Sequence, residues 1–195
     1  MIALTFTAAF PERMVTLTVT MIIEIPVLLM VLGGSDRLHN EIGRSSYQLL
    51  MGLLPLSCAI SGNVGLQASA MTTRAVVHGR VTPDSFRSWL LKEVAAASLL
   101  GCGMGVLLFV VTFWASSYNF PLAFSVAAGQ LISIVTAGCT GTISPILSRF
   151  SFGRDSGKWE SLTLTVVQDV IAAFAMIFLT IYILKLFGPL DDAPL

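Results

Sequence analysis

The chain has 195 residues, 55% of them hydrophobic and only 11% charged, with a formal net charge of zero. A soluble domain is usually about 25% charged, so this composition excludes an ordinary water-facing surface and implies an integral, multi-pass membrane protein. Balanced charge leaves no basic field for nucleic acid. Cys58, Cys102 and Cys139, an odd number without ligand spacing, point to helix packing and not to a disulfide framework or zinc site.

The opening "MIALTFTAAFPER" lacks a basic start and is cut short by Pro11, which argues against a cleaved signal peptide. It can lie in the membrane interface but is not a span. A spanning helix needs about 20 mainly apolar residues. Five stretches qualify, at 14–34, 47–71, 89–114, 120–147 and 160–187. The expected fold is therefore all-α, a single transmembrane domain of five helices, with short connections and no soluble regulatory domain.

The first span is interrupted by Glu24 and Pro26 in "MIIEIPVLL". An ionisable side chain near the bilayer centre costs about 2.5–3.5 kcal/mol, which makes it a functional candidate by default. Glu24 either lines an ion path or pairs with a polar group on a neighbouring helix. The second span contains "SGNVGLQ", which sets Asn63 and Gln67 one turn apart, with Gly62 and Gly65 beside them. Small residues let a helix or a hydrated ion approach the backbone. Amide pairing between helices and an ion path both remain open for this stretch.

Trp89 and Trp114 bracket the third span, as indole rings favour the membrane–water boundary. Gly101 and Gly105 within it form a small-xxx-small pair suited to helix packing. The fourth span carries Gln130, Ser133, Thr136, Thr140 and Ser144 close to one face. Hydroxyls in such helices often bond their own backbone, which is the default for any single one. The fifth begins after Trp159 and sets Ser161, Thr165, Gln168 and Asp169 at three- and four-residue spacing. Asp169 lies ten residues past Trp159, roughly 15 Å along the helix and so near mid-membrane. Either it is a protonated packing residue, or a passing cation offsets its charge. No intramembrane lysine, arginine or histidine is at hand to do so.

Lysines and arginines set the orientation. Arg13, the 74–92 connection (Arg74, Arg80, Arg87, Lys92) and the 149–158 connection (Arg149, Arg154, Lys158) share one side. On the other, Arg37 and Arg44 are offset by Asp36 and Glu41, and "ASSYN" has no charge. The positive-inside rule then predicts a cytoplasmic N-terminus and an external C-terminus, in a plasma (inner) membrane. An intramembrane enzyme is disfavoured: His39 and His78 fall in expected loops, and there is no second intramembrane aspartate.

Taken together, "PLSCAISGNVGLQASAMTTRAVVHGRV" resembles the second-helix signature of the MgtE-type magnesium transporters: a proline, then G-N-x-G-x-Q, then an arginine seven residues on. Pro55, Gly62, Asn63, Gly65, Gln67 and Arg74 fall at those places. In the fourth helix Ser133, Ala137, Gly141 and Pro145 meet the family's asparagine, alanine, glycine and proline, and in the fifth Thr165 and Asp169 meet its T-x-x-x-D. The resemblance spans residues 47–187. It implies transport of Mg2+, or of Mn2+ or Co2+, by a homodimer in the lipid bilayer. The path would run along helices two and five near the subunit interface, with Asp169 of each subunit as the main metal-binding carboxylate and Thr165, Gln168, Asn63 and Gln67 around it. Two departures stand out: Ser133 replaces an asparagine, and "ESL" at 160–162 replaces a glycine–proline turn. The family's regulatory domains have no counterpart here, so gating would need a separate cytoplasmic chain. The first span matches poorly, and no family role passes to Glu24.

Overall fold

The computed structural model describes residues 2–152 and 157–187. Within them, the side chains of 2–13, 16, 30, 34–38, 41, 150–152, 157–166 and 184 lie outside the described residues. Five helices follow one another: α1 (Ile2–Ile42), α2 (Arg44–Val77), α3 (Phe86–Ala115), α4 (Phe120–Phe152) and α5 (Gly157–Phe187). No strand occurs among the described residues. In lipid only helices or closed barrels satisfy the backbone internally, so the all-helical chain is the fold its composition demands. Among the described residues, four segments are long and apolar enough to cross a membrane: Arg44–Val77, Phe86–Ala115, Phe120–Arg149 and Val167–Phe187.

α1 departs from expectation at its ends. Among the described residues its apolar segment is Leu17–Gly33, inside the stretch expected at 14–34. The helix also continues on both sides, through the opening residues and through the expected loop at 35–46, so His39 lies in its last turn and not in a loop. Only Gly43 separates α1 from α2. Its φ of 78° belongs to the left-handed region, which glycine enters without a Cβ penalty. His78 likewise forms the C-cap of α2.

The other helix ends are built from local rules. Arg80 N–H donates to Ala75 O (2.8 Å) and Gly79 N–H to Val76 O (3.1 Å), a Schellman closure with Gly79 at φ 68°. Asn119 caps α4, its Oδ1 accepting from Leu122 N–H at 3.1 Å, and Pro121 occupies the first turn, where no N–H is missed. Pro55 and Pro145 lie inside α2 and α4, where each removes one ladder hydrogen bond.

α4 is the hub, packing against α2, α3 and α5, while α1 lies mainly on α5. The α3–α4 seam is made by small residues, as expected. A Cβ on Gly105 would sit 3.1 Å from Ala127 O, and one on Gly101 would sit 2.7 Å from Leu131 Cδ1. At one end of the bundle Ile42, Leu50, Leu53, Leu108, Val126 and Met176 form an apolar cluster drawn from all five helices. Toward the other end Ala75, Val81 and Ile146 form a second. Between these clusters lies a layer of buried polar side chains.

Candidate ion site between helices two and five

The polar layer has two parts. Between α2 and α4, Ser57, Ser61, Gln130 and Ser133 are fully buried. Ser57 Oγ donates to Gln130 Oε1. Ser61 Oγ accepts from Ser133 Oγ at 2.7 Å and from Gln130 Nε2 at 3.4 Å, and donates to Ser57 O at 2.7 Å. Such a closed network ties two helices together in an apolar solvent and leaves nothing for an ion. Ser133 is thus spent on α2. Thr136 and Thr140 instead donate to their own backbone, to Ile132 O and Thr136 O at 2.8 and 2.9 Å, as the default reading of hydroxyls anticipates.

The second part, between α2 and α5, is not closed. Gln168 is 1% exposed; its Nε2 donates to Cys58 O at 2.8 Å, but its Oε1 has no partner among the described residues. The amide rests on Gly62, where a Cβ would come within 3.4 Å of Nε2. Asp169, the next residue, is partly buried, and the Cys58 thiol donates a hydrogen bond to its carboxylate. No described cationic side chain pairs with Asp169. Glu24 of α1 is also partly buried, on a helix that packs along α5.

The structure therefore brings Gly62, Gln168 and Asp169 to the α2–α5 seam and sends other candidates elsewhere. Gly65 is buried against α4, where a Cβ on Gly141 would run into Gly65 O. Asn63 and Gln67 are exposed on the outer face of α2, beside Leu66 and Met71 at 52% and 54% exposure. The side chains of Ser161 and Thr165 lie outside the described residues. Cys58 is the neighbour that the sequence reading assigned to packing. It sits one turn before Gly62, so its place on the signature's own face was the available signal.

Chemically, the α2–α5 seam offers a carboxylate and a buried carbonyl oxygen in a setting with few donors, which suits a cation and its water shell. Fold and composition together define a polytopic helical membrane protein with a carboxylate on the α2–α5 seam. The family model of the MgtE divalent cation transporters matches residues 54–180. The chain belongs to that family, whose members are divalent cation transporters, and the match takes in α2 from its third turn, all of α3 and α4, and most of α5. No curated protein matches the chain significantly.

Proposed function

We propose that this protein carries Mg2+ across the plasma (inner) membrane along the seam of α2 and α5, as a homodimer, with its N-terminus in the cytoplasm. The observation that carries the reading is Asp169: a carboxylate near the middle of α5 and in the first turn of its apolar segment, held against α2, with no described cation beside it. A lone charge at that depth costs several kcal/mol unless it is neutralised, and a passing dication neutralises it. Magnesium dehydrates reluctantly and wants oxygen ligands. Few direct ligands and many water-facing acceptors suit it, and Asp169, Gln168 and Thr165 are the residue types to provide them.

Homodimerisation is supported by the outer face of α2. Asn63 and Gln67 are exposed there, one turn apart, in a helix long and apolar enough to span the bilayer. A primary amide facing hydrocarbon without a partner costs about 2–7 kcal/mol. A second copy, or the wet path between two copies, removes that cost. Mn2+ and Co2+ share the oxygen-rich coordination preference closely enough to be candidate cargo. A separate cytoplasmic chain could gate the path through the basic connections on that side.

The test is a flux assay in proteoliposomes loaded with a magnesium-sensitive dye. Native protein should admit Mg2+ down its gradient, and Asp169→Ala should not, while remaining folded. Dependence of the native flux on imposed sodium or proton gradients would convert the reading to an exchanger. Undiminished flux through Asp169→Ala would remove the proposed path.

A further inference from the structure

One turn of α2 is held from two sides at once. Ser57 and Ser61, four residues apart, face α4, where the fully buried Gln130 takes both: its Oε1 accepts from Ser57 Oγ and its Nε2 donates to Ser61 Oγ at 3.4 Å. The residues immediately after them, Cys58 and Gly62, form the adjacent stripe of the helix, about 100° round its axis. That stripe meets α5. Gln168 Nε2 donates to Cys58 O at 2.8 Å, and the same amide lies over Gly62, where a Cβ would come within 3.4 Å of it. Two buried glutamines, one from α4 and one from α5, thus grip residues 57–62 on neighbouring faces.

The grip on the α4 side is directional, which apolar packing is not. Gln130 gives its acceptor to one serine and a donor to the other, so turning α2 by one residue, about 100°, breaks both bonds. A single buried amide fixes the register of a coiled coil in the same way. α2 has particular need of such a hold. Pro55 lies inside the helix, two residues before Ser57, and offers no N–H to Met51 O, so the ladder lacks a bond just where the gripped turn begins. Turning α2 there would move the seat of Gln168, and with it the carboxylate at the next position of α5.

We propose that Gln130 is a positioning residue for the ion site: through Ser57 and Ser61 it sets the rotation of α2 that presents Cys58 O and Gly62 to α5, and so the place of Gln168 and its neighbour Asp169. This rests on the transport reading and deepens it, since Gln130 touches no ion and acts through α2. Its loss should therefore appear in the apparent affinity for Mg2+ and not in stability alone. Groups that orient the ligands of a metal change its affinity about tenfold to a hundredfold when removed.

The experiment is the initial rate of Mg2+ entry into vesicles as a function of Mg2+ concentration, with the melting temperature of each variant in detergent. Ser57→Ala and Ser133→Ala each delete one hydroxyl from the same buried network, but Ser57 is bonded to Gln130 and Ser133 to Ser61. Ser57→Ala should raise KM for Mg2+ about tenfold, and Ser133→Ala should leave it native, at similar small losses of melting temperature. Gln130→Met combined with Ser57→Ala and Ser61→Ala removes the amide together with both of its partners, so the melting temperature should stay close to native while KM rises. Equal KM in Ser57→Ala and Ser133→Ala overturns the proposal and needs only single-hydroxyl changes. So does native KM in the triple variant. If Asp169→Ala still stops entry in that case, the transport reading stands and the inference alone falls. Native entry through Asp169→Ala removes both.

Discussion

Replacing Gln168 with methionine separates an ion-binding amide from a helix-packing one. The side chains are close in volume, so overpacking is avoided. The change removes the Nε2 hydrogen bond to Cys58 O, a net contribution of about 1 kcal/mol, and nearer 0.6 by double-mutant cycles in a membrane bundle. It also removes a buried Oε1 that has no partner among the described residues, whose desolvation costs about 1–3 kcal/mol. The difference is a variant between equally stable and roughly 2 kcal/mol more stable than the native chain. If Oε1 instead serves the water shell of a passing ion, the same variant should lose flux by about tenfold, the worth of one charge-assisted hydrogen bond. Thermal unfolding in detergent and Mg2+ flux in vesicles give the two readings side by side. A variant destabilised by more than about 1 kcal/mol with native flux would refute the reasoning and leave Gln168 as a tie between α5 and α2.

Gly141→Ala should weaken the α2–α4 contact, because its Cβ would run into Gly65 O, a backbone atom that cannot rotate aside. Overpacking of this kind costs about 1–3 kcal/mol, visible as a lower melting temperature. Ser133→Ala should cost about 1 kcal/mol of stability, since Ser61 loses a buried donor, while divalent selectivity in the flux assay stays native. Asn63→Ala and Gln67→Ala remove exposed side chains and should leave the melting temperature of the isolated protomer unchanged. In vesicles they should weaken transport or alter ion competition, and unchanged competition would count against their place on the path.

Much of the architecture was legible because hydropathy and helix length are local properties. Four of the five expected spans coincide with long apolar helices, and the small pair Gly101 and Gly105 lies in the α3–α4 seam. α1 was misread at its end because "GGSDRLHNEIG" has loop composition. Leu38 and Glu41 nevertheless continue a helix already under way, until Gly43 breaks it with a positive φ. At the site, Asp169 and Gln168 stood out by polarity alone. Cys58 did not, since a thiol among apolar residues looks like packing. Its role comes from α5 docking on α2, which joins residues 110 positions apart. Gly65 matched the signature but is turned toward α4, and Ser133, at the place of the family's asparagine, is turned toward α2, a distinction that only the packing of the helices makes.

The most direct measurement is the initial rate of Mg2+ entry into vesicles holding equal amounts of native protein and Asp169→Asn, a change that removes one charge and almost no volume. Entry should be lost in the variant while its unfolding temperature holds or rises, because an uncompensated buried charge has gone. Equal rates in the two preparations would contradict a path that depends on that carboxylate.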